Sequence, residues 1–248
     1  MSPLAANAVE ASMQEVLQRL EQETAATKAE TAVAQVMPYP LANPWSGRIL
    51  ELTLKRLMDI IGSIAGLVLF LPIMVVVAIA IKLESPGPVL FKQKRVGKDG
   101  VEFEFWKFRS MVIGADEMKD KLIALNEKDG PIFKIKNDPR VTRVGRFIRK
   151  YSIDELPQLF HVLTAKMSIV GPRPPLPSEV MNYGRYEWTR LSVQPGLTCL
   201  WQISGRSNLG FDEWMKLDIQ YISNWSILLD LQIIAKTFWV VIKSEGAY

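Results

Sequence analysis

The longest uniform pattern in the chain is apolar. From Ile60 to Ile81, 22 consecutive residues carry no charge. As a helix rising about 1.5 Å per residue they cover roughly 33 Å, close to bilayer thickness. Pro72 lies just past the middle and removes a backbone hydrogen bond there, which predicts a kink. Basic residues flank both ends: Arg48, Lys55 and Arg56 before, then Lys82, Lys92, Lys94, Arg95 and Lys98 after. An ordinary transmembrane span, a bent re-entrant helix and a buried core helix all fit the length. The positive-inside tendency assigns both flanks to the cytoplasm. Together with the kink, that favours the re-entrant form. Lys55, Arg56 and Asp59 stand at i,i+3 and i,i+4 spacing, which suffices for local surface pairing. The same cluster can anchor the helix entrance at the headgroup layer.

Shorter patterns follow. Ser85-Pro86-Gly87-Pro88 reads as a turn. Val89–Phe91 and Glu102–Trp106 read as strands, the second alternating with period two, joined by a hairpin at Gly97-Lys98-Asp99-Gly100. Residues 114–128 read as helical. Arg140, Arg143, Arg146, Arg149 and Lys150 follow Lys136 at a spacing that predicts a basic stripe on a helix from about 142 to 150. Residues 212–243 read as mostly helical. Within them the run 225–242 is interrupted only by Asp230 and Lys236, with Trp225 and Trp239 near its ends, and fits a core helix and an interfacial one equally. Residues 8–35 suit a surface helix that the prolines at 38, 40 and 44 end. No basic n-region precedes an apolar core there, so no secretory signal is expected.

Composition and charge narrow the chemistry. Apolar residues make up 48% of 248 residues and charged residues 23%, which suits a packed domain and excludes wholesale disorder. One cysteine, Cys199, excludes an intramolecular disulfide and a Cys-rich zinc site. One histidine, His161, excludes His-paired metal sites. Both read as packing residues. The net charge is +4, yet residues 1–46 carry −3, so the remainder carries +7. A basic body of this size predicts an anionic partner.

The candidate chemistry centres on Ser152-Ile153-Asp154-Glu155-Leu156-Pro157. Ser152 and Glu155 fit a capping box, and Pro157 suits a first helical turn. Carboxylates near a helix N-terminus are stabilised by its dipole, which predicts low pKa values for Asp154 and Glu155. Such groups suit a carboxylate nucleophile or a Mg²⁺ ligand. Adjacent helical residues point about 100° apart, so the two should differ in role. Arg173, in Gly171-Pro172-Arg173-Pro174-Pro175, is a forked cation suited to phosphate. The loop 201–207 has the same Gly/Arg/Ser character. No P-loop, dinucleotide fingerprint or His-Glu-x-x-His motif is present.

In order, these motifs resemble one family. Lys55-Arg56-x-x-Asp59, the apolar segment, Ser85-Pro86-Gly87-Pro88, Lys107-Phe108-Arg109-Ser110-Met111, Asp154-Glu155-Leu156-Pro157-Gln158-Leu159, Met167-Ser168-x-Val170-Gly171-Pro172-Arg173-Pro174 and Pro195-Gly196-x-Thr198 are similar to the bacterial sugar transferases, the monotopic polyprenyl-phosphate glycosyl-1-phosphate transferases. The likeness runs from about residue 50 to the end. It implies an α/β, mainly helical protein in three parts: a polar appendage and linker at 1–46, a re-entrant membrane helix at 47–84, and a catalytic domain with interfacial helices at 85–248. The domain would lie on the cytoplasmic face of the bacterial inner membrane.

The activity that the resemblance implies is a two-step transfer. The aspartate matching Asp154 attacks the β-phosphate of a UDP-sugar and releases UMP. Undecaprenyl phosphate then takes the sugar phosphate from the aspartate, which initiates exopolysaccharide, capsule or O-antigen assembly. Mg²⁺ is the implied cofactor, with Asp154 and Glu155 at the metal and Glu155 a partner or base. Arg173 matches the phosphate-binding arginine, and Lys107, Arg109 and Arg149 are the expected helpers. A hexose donor, membrane lipid and a homodimer complete the expected partners; the apolar segment disfavours nucleic acid. The sequence departs from the family at Ala165-Lys166, where Gly-Asp is common, at His161 for Asn, and at Cys199 for Gly. Two rivals remain: a lipid-independent UDP-sugar hydrolase, and a membrane-anchored scaffold whose basic face binds acidic lipid.

Overall fold

The computed structural model describes residues 43–118, 122, 125–127, 135, 137–205 and 209–243. The helix expected over 8–35 lies outside these residues. The described chain is mainly helical and belongs to one compact unit, Leu41–Tyr248. Its first element is helix α1, Ile49–Glu84, 36 residues with Pro72 inside. At about 1.5 Å per residue, 36 residues have a contour near 54 Å, well beyond a hydrocarbon core of about 30 Å. The most apolar 18-residue window has a mean hydropathy of 3.0 and is 11% buried, so this helix is long and apolar enough to cross a membrane. Val68, Leu69, Leu71, Val75 and Val76 are all exposed. An apolar surface of that extent needs a nonaqueous environment.

Both ends of α1 are tied to the rest of the unit. The pairing expected within Lys55, Arg56 and Asp59 is replaced by contacts far along the chain. Lys55 Nζ meets Asp230 at 2.6 Å and donates to the Val170 carbonyl at 3.0 Å. Tyr221 donates to Asp230 at 2.8 Å, and the Trp225 indole N–H adds a bond at 3.2 Å. Arg56 caps the carbonyls of Val162 and Leu163, both at 2.7 Å. Asp59 accepts from Ser168 Oγ and the Ile169 amide. The physical reason is burial: Lys55, Asp59 and Asp230 are each under a tenth exposed. Ions so placed need complete partnering, which local helix spacing does not supply. Trp45, inside the expected linker, belongs to the same core: it stacks on Trp225 and donates to the Ile222 carbonyl.

At its far end α1 meets the hairpin β1 (Leu90–Val96) and β2 (Glu102–Phe108), antiparallel in the register Leu90↔Phe108 to Val96↔Glu102. The two strands and their turn follow the alternation in the sequence. Helix α2, Arg143–Lys150, forms where the basic stripe predicts it, and Thr142 caps it by accepting from the Gly145 amide. Residue 145 must be glycine: a Cβ there would overlap the Ser110 carbonyl. Arg140 leaves the stripe, turning inward to Asp138 at 2.6 Å, and Lys136 lies outside the described residues. The helix expected from 114 does not start there; residues 113–118 are turns, with Gly114 at φ 75°.

A short 3-10 turn, Ile153–Gln158, leads into α3, Leu159–Leu163. Strands β3 (Ser168–Val170) and β4 (Gly196–Thr198) pair in parallel, Ser168↔Gly196 and Val170↔Thr198. Two helices close the chain, α4 (Phe211–Ser223) and α5 (Ile227–Lys243). The core interpretation of the 225–242 run fits one face of α5, where Asp230 and Ile233 are buried. The interfacial one fits the other, where Leu228, Phe238 and Trp239 are exposed.

Removing one partner of the Lys55–Asp230 pair leaves a buried charge alone. Lys55→Met is expected to cost on the order of 3–5 kcal/mol, read as thermal unfolding in detergent micelles. A loss below about 1 kcal/mol, the level of a surface pair, would contradict the buried assignment.

Candidate active site

Four segments converge on a cleft of about 800 Å³. The end of β2 supplies Lys107, the end of α2 supplies Arg149, the 3-10 turn supplies Asp154 and Glu155, and the loop after β3 supplies Arg173. The sequence reading therefore named residues that the fold brings together. Arg109 also borders the cleft, but its guanidinium is committed elsewhere. It donates to the carbonyls of Ser85, at 2.8 Å, and Pro86, and so caps the C-terminal end of α1.

The turn that carries the carboxylates departs from the expected cap. Ser152 sits in the left-handed region at φ 54° and makes no side-chain cap hydrogen bond. An N-cap side chain needs extended backbone to reach back to the turn. Glu155 is occupied in any case. Its Oε1 accepts from Lys107 Nζ at 2.9 Å and from Arg173 Nη2 at 3.0 Å. These two cations hold the Glu155 carboxyl well below the usual carboxylate range, so it is a poor proton acceptor at neutral pH.

Asp154 behaves in the opposite way. It is buried, and Lys107 Nζ approaches only to 4.0 Å. Burial raises its pKa to about 6, and the Glu155 charge adds to that; Lys107, Arg149 and Arg173 pull it back. The low value expected from a helix dipole is therefore corrected. The turn is only six residues of 3-10 helix, and loss of hydration outweighs its short dipole. The result is a carboxylate that is ionised at neutral pH, more basic than usual and not clamped by a direct hydrogen bond.

A second ring of residues, invisible as motifs, holds Arg173. Arg190 donates to the Arg173 carbonyl at 2.9 Å and pairs with Asp218 at 2.6 Å; both are buried. Arg95 donates to the Pro174 carbonyl at 3.0 Å. Gly171 and Gly196 let the two strands approach so closely that a Cβ on either would overlap backbone. The only available signal was Asp218 itself, a carboxylate on the apolar side of an amphipathic helix.

The remaining expectations resolve simply. His161 accepts the Trp106 backbone N–H at 3.1 Å, and burial lowers its pKa to about 4, so it is a neutral packing residue. Cys199 is buried, its thiol pushed up by burial and donating to Gln202. Lys166 is exposed and borders no part of the cleft, so the missing carboxylate there does not alter the site. Ala165 takes φ 61°, the left-handed conformation that a glycine adopts more easily.

Among the described residues no group of three or more His, Cys, Asp or Glu side chains could hold a metal unaided. Mg²⁺ needs less: one or two carboxylates suffice when substrate phosphates and water complete its shell. Asp154 and Glu155 meet that requirement, with Glu155 shared with two cations.

Because the Asp154 pKa is raised on folding, its ionised form destabilises the protein above pH 6. Below about pH 3 the carboxyl is protonated in both states and the cost disappears. Asp154→Asn is thus expected to raise stability by about 1–3 kcal/mol at pH 7.5 and to converge on wild type at about pH 3. Thermal melts across that range check it; equal melting temperatures at pH 7.5 would contradict a buried, ionised Asp154.

Comparison with known proteins identifies the family. Residues 50–244 match the bacterial sugar transferase family. The galactosyl transferase CpsE of Streptococcus agalactiae serotype III is 47% identical over 198 residues, 79% of this chain and 44% of that protein. The undecaprenyl-phosphate galactose phosphotransferase of Salmonella typhimurium is 43% identical over 202 residues, 79% of this chain and 42% of that protein. The exopolysaccharide production protein ExoY of Rhizobium meliloti is 38% identical over 198 residues, 78% of this chain and 88% of that protein. The matched stretch thus spans less than half of the first two relatives and most of the third. On this match and on the ordered motifs that build the cleft, the chain belongs to the bacterial sugar transferase family.

Proposed function

We propose that the protein transfers a sugar-1-phosphate, from a hexose donor, from a UDP-sugar to undecaprenyl phosphate. The observation that carries the reading is the pair of adjacent carboxylates, one clamped by Lys107 and Arg173 and one buried and unclamped. In the first step an Asp154 Oδ attacks the β-phosphorus of the UDP-sugar; the bond to the bridging oxygen breaks and UMP leaves. In the second, an oxygen of the lipid phosphate attacks the same phosphorus, giving polyprenyl-diphospho-sugar and regenerating the Asp154 carboxylate. Each step brings anion to anion, so fixed cations must neutralise the repulsion.

Lys107, Arg149 and Arg173 supply that neutralisation. Glu155 holds Lys107 and Arg173 in place before the diphosphate arrives, so little reorganisation is needed at reaction. Mg²⁺, held by Asp154 and Glu155, would neutralise diphosphate oxygens. Two of the relatives reported above are named for galactose transfer, one of them to undecaprenyl phosphate, and a third for exopolysaccharide production. These names support a hexose donor, a polyprenyl acceptor and a role at the start of polysaccharide assembly.

The membrane placement we propose is re-entrant, with the catalytic body on the cytoplasmic face. Both ends of α1 make polar contacts with one body: Lys55, Arg56 and Asp59 at the start, and Glu84 at the end, accepting from the Arg143 and Val144 amides. A helix whose ends lie on opposite sides of a bilayer would have to break one set. Pro72 removes a helix hydrogen bond between them.

Three outcomes test the reading. Multiple-turnover UMP release from a UDP-hexose is expected to require undecaprenyl phosphate, Mg²⁺ and Asp154, with Asp154→Asn at least about 10³-fold slower. Turnover beyond one UMP per enzyme without lipid would favour the hydrolase, and activity surviving in Asp154→Asn would reject the nucleophile. The kcat/KM for the donor should fall about tenfold per pH unit below pH 6, where Asp154 becomes protonated. A profile flat down to pH 4.5 would exclude that group. For topology, Ser46→Cys and Asp99→Cys flank α1 at exposed positions while native Cys199 is buried. An impermeant maleimide should label both from the cytoplasmic side; labelling from opposite sides would establish a span.

A further inference from the structure

Helix α2 carries four cations in eight residues, Arg143, Arg146, Arg149 and Lys150, and no acidic residue. Like charges three and four residues apart repel on a helix surface. Arg143 is also unfavourably placed at a positive helix start, where Glu84 alone offsets it by capping the Arg143 and Val144 amides. Among the described residues no ion pair relieves Arg143 or Arg146, whereas Arg149 faces the Asp154 carboxylate. A folded protein gains nothing from such an arrangement unless an anion uses it.

The helix geometry orders these cations. Ile148 and Gly145 are buried, which fixes the inner face. Successive steps of three residues turn the outer face by about 60° and rise about 4.5 Å. Arg143, Arg146 and Arg149 therefore form a winding track. Its inner end is Arg149, half-buried at the cleft wall beside Asp154. Its outer end is apolar. Leu83, next to the capping Glu84 at Arg143, is 82% exposed, and Phe147, between Arg146 and Arg149, is 56% exposed and packs edge-on against Tyr151. The track thus begins where the apolar helix leaves its apolar surroundings and ends at the reacting carboxylate.

We infer that α2 is the entry track of the lipid acceptor, Arg143 and Arg146 taking its phosphomonoester headgroup at the apolar rim and passing it to Arg149 at the cleft. The inference rests on the transferase reading. It assigns Arg143 and Arg146 a role that the soluble donor does not need: a UDP-sugar reaches the cleft from water, whereas a lipid phosphate is confined to the interface beside Phe147. Exposed arginines suit this task because the guanidinium is weakly hydrated and bonds phosphate with paired donors.

The two half-reactions separate the outcomes. Full-length protein in phosphatidylcholine nanodiscs is assayed for UMP exchange into a UDP-hexose without acceptor, and for full turnover against varied undecaprenyl phosphate. In Arg143→Gln/Arg146→Gln the KM for undecaprenyl phosphate should rise about tenfold, the equivalent of one lost charge-assisted contact. UMP exchange should stay within about twofold of wild type, and Arg143→Lys/Arg146→Lys, which keeps the charge but loses the paired donors, should recover only part of the acceptor KM. Normal exchange with an unchanged acceptor KM overturns the track alone. So does a variant that loses only its binding to phosphatidylglycerol vesicles, since that marks a general lipid-binding face. A parallel fall in exchange overturns it too, by placing these arginines at the donor. Wild type without exchange from any UDP-hexose overturns the transferase reading, and the track with it.

Discussion

One buried polar knot couples the apolar helix to the chemistry. Lys55 projects from α1 into the protein and meets Asp230, the Val170 carbonyl and the Tyr221 hydroxyl, while Asp59, one turn on, receives Ser168 and the Ile169 amide. These contacts set the position of β3, and β3 runs directly into Gly171 and Arg173. The long apolar helix is thereby registered to the cleft through residues three and four positions from Arg173. Charges buried this deeply tolerate little displacement, because each bond lost exposes an ion to a medium of low polarity. The knot accordingly fixes the position of the cleft relative to the exposed apolar stretch of α1.

Within the cleft, neighbouring residues of one chemical type are driven apart by their surroundings. Glu155 is satisfied by two cations and stays ionised; Asp154 is short of direct partners and is raised to about 6. Divergent environments are how a site divides labour between two carboxyl groups. Here the division leaves the clamped one holding the cations and the unclamped one without a direct hydrogen bond, as the nucleophile proposed above requires. Arg190, Asp218 and Arg95 act behind this arrangement as positioning residues. They hold the Arg173–Pro174 backbone, and the side chain of Arg173 then reaches Glu155.

Much of this was legible before folding. Period-two alternation at Glu102–Trp106, the turn at 97–100 and the basic spacing at 143–150 each carry a local physical cause, and each element formed in place. The site residues Lys107, Arg149, Asp154, Glu155 and Arg173 were named from ordered motifs and do converge. What local patterns miss is decided by burial across long separations. Lys55 and Asp59 fit an i,i+4 surface pair until the Asp230 side chain, 175 residues away, is brought beside them. Ser152 and Glu155 fit a capping box until Lys107 and Arg173 claim the carboxylate. Arg109 fits a phosphate ligand until the carbonyls at the end of α1 take its donors. In each case a stronger, nonlocal partner replaced a weak local one.

The transfer proposed above requires Asp154 to become covalently bonded to phosphorus. The direct measurement is peptide mass spectrometry of the full-length protein after acid quench, following incubation with a UDP-hexose and Mg²⁺ in the absence of lipid. The peptide containing Asp154 should gain the mass of one hexose phosphate less water, undecaprenyl phosphate should discharge it, and Asp154→Asn should never acquire it. An adduct on Glu155, or UMP release with no adduct on any peptide, would contradict it.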